Sequence, residues 1–184
     1  MSAIRIRRAR QGDAAFIAGL RGMAETRLYQ PVTQLPPGEV RRRLRDRERG
    51  SLSEERGHEL MWIIEEDERA AGWVMLSIRD WSHRNARIGY TLHPGAWGRG
   101  AALTGVAQVL DLAFGPGRMR RIDCDVMVEN ERSQKLVERL GFTQEGRLRS
   151  LADMPGGRRD FFLYSILDDE WPGSEKVLER PGPS

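Results

Sequence analysis

At 184 residues, 39% of them apolar, the chain is long enough to bury a sizeable core without disulfide or metal staples, and one domain is the simplest reading. Its single cysteine, Cys124, excludes an internal disulfide framework and fits a reducing cytoplasm, while His58, His83 and His93 lack the spacing of a zinc site. A net charge of +3 is too small to mark a nucleic-acid binder, and no run approaches the roughly 18 apolar residues of a membrane span or, at the N-terminus, the apolar stretch of an export signal.

In chain order, Ile4 and Ile6 alternate with arginines as an edge strand. Gly12-Asp13 offers an N-cap to a helix with Ala14, Phe16, Ile17 and Leu20 on its apolar stripe, ending near Gly22. The stretch from Leu28 to Pro37, with three prolines, reads as a loop. Glu39 to Arg49 is helical by pattern; its many arginines read as a solvated face around Val40 and Leu44, with attraction to acidic surfaces as the alternative. Leu60–Glu65 and Ala70–Ile78 form a hairpin across the acidic turn 66–68.

The stretch from Ala86 to Gly115 carries the functional signal. Ile88, Tyr90 and Leu92 alternate as a strand that Pro94 ends, and from Arg99 the apolar residues Leu103, Val106, Leu110 and Phe114 recur at helical steps until Gly115-Pro116. Between them, Gly98-Arg99-Gly100-Ala101-Ala102-Leu103 lets an anion approach unpaired N–H groups at a helix N-terminus. The spacing Gly95-x4-Gly100 matches a P-loop, but Ala101-Ala102 replaces the Lys and Ser/Thr that hold nucleotide phosphates and magnesium. A dinucleotide fingerprint fails as well, with Leu103 at its third glycine and no acid about 20 residues further on. The pyrophosphate of another cofactor is the natural guest; the plainer alternative is a tight turn that uses glycine for geometry alone. Gly89 inside the strand reads as a bulge that would splay it from a neighbour and open a slot for an extended ligand arm.

Arg121–Val128 is the next strand, Asn130 caps a helix carrying Leu136, Val137 and Leu140, and Gly141 and Phe142 fit positions C′ and C″. On spacing alone Asn130 and Ser133 are an ordinary cap and a first-turn serine. Thr143–Leu151 and Arg159–Leu167 make a last hairpin across 154–157, with Pro155 and Gly156 suited to a type II turn. The order β-α-α-β-β-β-α-β-α-β-β argues for a mixed α/β sheet covered by helices.

The pattern Trp97-x-x-Gly100-x-Ala102 after Gly89-Tyr90-x-Leu92, followed by Asn130-Glu-Arg-Ser133-x-Lys135-Leu136-x-Glu138-x-x-Gly141-Phe142 and Glu145-Gly146-x-Leu148-Arg149, resembles the GNAT N-acetyltransferases, in particular their ribosomal-protein (Rim-type) branch. Trp97 stands where that loop usually begins with Gln or Arg, which removes a polar contact and leaves the backbone cradle. The resemblance implies an acyl-CoA N-acyltransferase fold, an α+β mixed sheet with splayed central strands and helices on both faces. It implies acetyl-CoA as cosubstrate without a metal, held by Tyr90, Thr91 and Leu92, by Gly98, Arg99, Gly100, Ala101, Ala102 and Leu103, and by Asn130. A backbone N–H near Leu92 or His93 would meet the thioester oxygen, and Ser133 takes the place of the proton donor to the leaving thiolate. Residues 1–171 are expected to form one N-acetyltransferase domain and 172–184 a loose tail.

The amine-activating base stays open among Asp125, His93, Glu65 and Asp153, because the ungapped position of a relatives' glutamate is Ala152. The acceptor is a protein α-amine or a small-molecule amine, a homodimer is an open alternative, and neither DNA nor a membrane is an expected partner. Two other classes compete, a non-catalytic acetyl-CoA sensor and an RNA- or ribosome-binding module. The retained Ser133 disfavours the first, and the absence of an aromatic-rich basic strand face the second.

Overall fold

The computed structural model describes residues 3–179. Its frame is a seven-stranded sheet of order β1-β2-β3-β4-β5-β7-β6, formed by β1 (Ile4–Arg8), β2 (Glu59–Glu66), β3 (Arg69–Asp80), β4 (Asn85–Leu92), β5 (Arg121–Met127), β6 (Thr143–Met154) and β7 (Gly157–Leu167). Neighbours are antiparallel except β4 and β5, which run parallel because the helix α4 (Ala101–Phe114) carries the chain back between them. Three helices, α1 (Ala14–Gly22), α2 (Ala24–Tyr29) and α3 (Pro37–Glu48), separate β1 from β2; α5 (Glu131–Arg139) follows β5, and α6 (Ser174–Glu179) follows β7.

Alternation along the strands sends apolar side chains to both faces. Met61, Ile63 and Trp73 pack against Ile17, Leu20, Val40 and Leu44 of α1 and α3, while Trp62, Ile64, Val74, Leu76 and Ile88 pack against α4. A mixed sheet with helices on both faces is therefore the observed architecture, as expected. The contact of α4 with β2 is close enough to need glycine, since a Cβ on Gly105 would lie 2.7 Å from the Ile64 side chain. The arginine-rich α3 is anchored by Val40 and Leu44, which are buried; Glu39 pairs with Arg43 one turn on, and Arg47, largely covered, pairs with Glu59 of β2.

Three expectations change. The β3–β4 ladder runs in register from Ile78↔Ala86 through Met75↔Gly89 to Gly72↔Leu92, so no bulge lies at Gly89; the irregularity falls between Ile78 and Asp80. The splay arises on the other side, where β4 and β5 pair only over Asn85↔Arg121, Ala86↔Ile122 and Arg87↔Asp123, and then part. Part of the stretch expected as a loose tail is helical. Val177 of α6 is fully buried against the α4 side of the core, and Asp111 of α4 accepts from Trp171 Nε1 at 2.8 Å and from the Ser174 N–H at 3.0 Å. Residues 180–184 lie outside the described part. Finally, the loop expected from Leu28 begins later, because α2 continues to Tyr29.

Candidate active site

Where β4 leaves β5, its backbone loses a strand partner on one side. His93 N–H bonds to Ala71 O of the chain next to it at 2.7 Å, so the alternate residues Leu92 and Tyr90 turn their N–H and C=O groups away from β3, into the fork. The expectation that His93 N–H could meet a thioester oxygen is thereby corrected: that group is already bonded, and Leu92 and Tyr90 are the donors facing the slot. Two side chains meet the carbonyls there. Gln30, at the end of α2, donates Nε2 to Tyr90 O and accepts from Thr91 Oγ1, and Trp97 donates Nε1 to Leu92 O at 3.1 Å. The aromatic substitution at Trp97 thus brings its own polar contact, and Arg132 sits over its ring at 5.2 Å.

At the top of β4 a 3-10 turn, Pro94–Ala96, leads into the glycine loop. Gly98 and Gly100 hold φ of +76° and +81°, left-handed values that an L side chain resists, and nothing lies within 4 Å of a Cβ built on either. Gly100 is the N-cap of α4, whose first turn carries no acidic side chain. The open, glycine-lined N-terminus of a helix more than three turns long fits an anionic group such as a pyrophosphate.

The opposite wall is α5, and its ends are set by the sequence. Asn130 Oδ1 accepts from Ser133 N–H at 3.2 Å, an N-cap bond. At the other end Phe142 N–H bonds to Val137 O and Gly141 N–H to Glu138 O, both at 3.0 Å, with Gly141 at φ +95°, which is a Schellman motif. So fixed, the helix brings Ser133 Oγ to 2.6 Å from the Tyr90 phenol across the slot. Burial pushes the Tyr90 pKa far above the ordinary phenol value, with Cys124 adding to the rise and the Ser133 bond opposing it, so the phenol stays protonated.

These elements enclose a cavity of about 760 Å³. Tyr90, Thr91, Leu92, Gly98, Gly100, Ala101, Ala102, Leu103, Asn130 and Ser133 all line it. Arg99 does not: its guanidinium turns outward to Glu66 at 2.6 Å. Sequence reasoning missed Glu25, Thr26, Tyr29 and Gln30 of the α2 segment, and Arg132, Lys135 and Arg139 of α5. The α5 cations share a helical face, legible as i, i+3 and i+7 from Arg132; Gln30 reaches its partners across 60 and 61 positions and leaves no local signal. With Glu25 as the one carboxylate against three cations, the lining attracts a polyanion.

Of the candidate bases, Glu65 lies on the outer strands between Arg5 and Arg7; burial works against its charge, but those two guanidinium bonds prevail and lower its pKa. His93 Nδ1 accepts from Gly95 N–H at 3.1 Å. Asp153 sits at the hairpin tip with its side chain 89% exposed, 3.6 Å from Arg158. Asp125 lies on β5 just beyond the fork, paired with Arg87, and burial raises its pKa. Among the described residues no group of three or more His, Cys, Asp or Glu side chains could hold a metal, and no helix is long and apolar enough to cross a membrane.

Residues 3–143 match the acetyltransferase (GNAT) domain model. The chain is 32% identical over 111 residues to an N-acetyltransferase of Bacillus licheniformis, covering 60% of this chain and 62% of that protein, and 30% identical over 109 residues to YdaF of Bacillus subtilis strain 168, named as a ribosomal N-acetyltransferase, covering 59% and 60%. The match thus spans about 60% of the length of these curated relatives. Among solved structures, RimJ of Mycobacterium smegmatis in complex with CoA-disulfide superposes with a TM-score of 0.81 at 26% identity, covering 95% of this chain and 87% of that one. The glycine cradle, the forked strands and the domain match agree, and the chain belongs to the GNAT acetyltransferase family.

Proposed function

We propose that the chain transfers an acetyl group from acetyl-CoA to a primary amine, first of all the α-amine of a protein N-terminus. The observation that carries this reading is the fork itself: β4 and β5 part after Arg87↔Asp123, and the slot so opened ends at the left-handed glycines before α4. An extended amide arm can bond the free edge at Tyr90 and Leu92 while its pyrophosphate rests at Gly98–Leu103 and the α5 cations face its charge.

Attack of a neutral amine on a thioester needs positioning and charge stabilisation more than covalent help. In this reading the N–H groups of Tyr90 and Leu92 face the thioester oxygen, Asn130 fixes the first turn of α5, and Ser133 gives its hydroxyl proton to the departing thiolate. Either hydroxyl of the 2.6 Å Tyr90–Ser133 pair can donate; in this reading the phenol does, which leaves the serine hydrogen free to point into the slot. The name of YdaF, a ribosomal N-acetyltransferase, supports a protein acceptor. So does acidity: an α-amine has a pKa near 8 and a lysine amine near 10.4, so deprotonating the lysine at neutral pH costs about 3 kcal/mol more.

The test is mass-spectrometric detection of acetyl transfer to N-terminal peptides, ribosomal proteins, lysine side chains and small amines. Acetylated α-amines are expected. Acetyl-CoA binding without transfer to any amine would favour a sensor, and acetylation confined to lysines would overturn the acceptor assignment.

A further inference from the structure

Asp125 is a largely covered carboxylate that the reaction so far does not use. It lies on β5 two residues past Asp123, the last β5 residue paired with β4, and alternation places both on one face of the sheet. On β4 that face continues from Arg87 to Gly89 and Thr91. Gly89 presents no side chain, and a Cβ there would meet nothing within 4 Å, so the space beside the fork is open on this face. The Asp125 side chain is 11% exposed. Its Oδ2 is held by an Arg87 guanidinium nitrogen, whereas Oδ1 is buried and has no hydrogen-bond partner. A carboxylate fixed by one oxygen and unsatisfied at the other is a proton acceptor awaiting a donor.

The two faces of the fork then differ in chemistry. Tyr90 and its cross-strand neighbour Val74 belong to the α4 face, where Tyr90 meets Ser133. Asp125 belongs to the face of Thr91 and Trp73, toward α1 and α2. Acyl transfer needs such a division, because the nucleophile must lose a proton on the side from which it attacks while the leaving group gains one elsewhere.

We propose that Asp125 is the general base that deprotonates the acceptor amine, an assignment that rests on the acetyl transfer proposed above. The ammonium gives one proton to Asp125 Oδ1, and the freed nitrogen lone pair forms the C–N bond to the thioester carbonyl carbon. As the C–S bond breaks, Ser133 hands its proton to the thiolate; the nitrogen's second proton passes through solvent to restore the Ser133 hydroxyl, and the first leaves Asp125 for solvent. Amide, thiol and one proton result. The groups facing the carboxylate are Arg87 of β4, Arg79 of β3 and Asp123 on β5, with the uncharged Leu163 opposite on β7. Burial outweighs the two arginines, and the carboxyl binds its proton more tightly than an ordinary aspartate.

The experiment is single-turnover transfer at saturating acetyl-CoA, from pH 5.5 to 9.5, to the amine that the wild-type chain acetylates fastest in the screen above. Wild type is compared with Asp125→Asn and Asp125→Glu, with folding and CoA affinity measured alongside. Asp125→Asn is expected to be slower by about 100-fold near pH 7 with unchanged CoA affinity. The gap should close toward pH 9, where an α-amine deprotonates unaided. Asp125→Glu should recover most of the rate and move the acid limb. A merely structural carboxylate gives a gap that does not vary with pH, and that result overturns the assignment. If Asp125→Asn fails to fold, an acid limb unmoved in Asp125→Glu does the same. A wild-type chain that acetylates no amine removes the parent reading; a wild-type chain that turns over with an equally active Asp125→Asn removes only this one.

Discussion

The anion cradle can be tested by placing a side chain, and then a charge, at Gly100. The residue has φ +81° and ψ −3° and caps α4, and a Cβ built there meets no neighbour. Gly100→Ala therefore introduces backbone strain without a clash, worth about 1–2 kcal/mol. For a chain of this size that lowers Tm by roughly 2–8 °C. The added methyl also stands in the approach of an anion to the first N–H groups of α4, and loss of one charge-assisted hydrogen bond, about 1.5–3 kcal/mol, weakens CoA binding by roughly 10- to 100-fold. Gly100→Glu shares the strain and adds a carboxylate about 4 Å from a phosphate. At an effective dielectric constant near 20 that repulsion is about 4 kcal/mol, and exposure of the loop halves it to about 2. The glutamate variant should thus bind roughly 30-fold more weakly than the alanine variant, and that extra factor should shrink in high salt. Calorimetric titration of CoA into the three proteins, each with its Tm, reads all of this. If Gly100→Glu binds as wild type does, or no more weakly than Gly100→Ala at low salt, the phosphate does not lie at this helix end.

Ser133→Ala should slow single-turnover transfer by at most about 100-fold with CoA affinity nearly unchanged, since a thiol of pKa near 8.5 already leaves tolerably; Tyr90→Phe, which unties the Ser133 hydroxyl, should act in the same direction, and unchanged rates in both would retire the serine as proton donor. Burial raises the Cys124 thiol to about 12, so it should resist alkylation in the native protein at pH 8 and react on unfolding; rapid native labelling read by mass spectrometry would contradict the burial. The Arg121 guanidinium and the Ser165 hydroxyl hold Glu145 at about 2, below its ordinary 4.5. A depressed folded-state pKa gives stability that is present above pH 4.5 and lost as pH falls toward 2. Because the Glu145 side chain is 38% exposed, the effect is discounted to about 1 kcal/mol, and denaturant titrations should show Glu145→Gln losing less stability than wild type across that window.

The parts of this fold that sequence made legible are those dictated by local physics. Alternation at Ile88-Tyr90-Leu92, the stripe of α4, the caps at Asn130 and Gly141, and Gly156 at φ +89° in the last hairpin all follow from spacing and from residues with few conformational options. The fork was expected, but for a different reason: Gly89 suggested a bulge, whereas the regular β3–β4 ladder shows that the divergence comes from where β5 stops pairing. Pairing between strands separated by a whole helix is a tertiary fact, and no residue of β4 records it. The helix α6 was hidden likewise. Its Pro and Gly flanks read as a tail, and only the distant Asp111 supplies the anchor for Trp171 and Ser174.

The same division runs through the candidate site. On the proposed reading, a cofactor held by backbone N–H groups at Gly98–Leu103 and by a strand edge at Tyr90 and Leu92 needs left-handed glycines and an unpaired strand, features that do not depend on the side chain at Trp97. That half could be read from one sequence because its chemistry lies in the main chain. On the proposed reading, the acceptor half depends on side chains brought together from α2, β4 and β5, with Gln30 reaching Tyr90 and Thr91, and Asp125 reaching Arg87. Substitution there is expected to change what is bound while leaving the pyrophosphate cradle in place, since no residue of α2 or β5 shapes the glycine turn. Acceptor choice can therefore diverge while the cradle stays fixed. On this argument a swap of residues 24–30 between this chain and a GNAT relative with a known acceptor should move acceptor preference and leave CoA affinity within a few-fold.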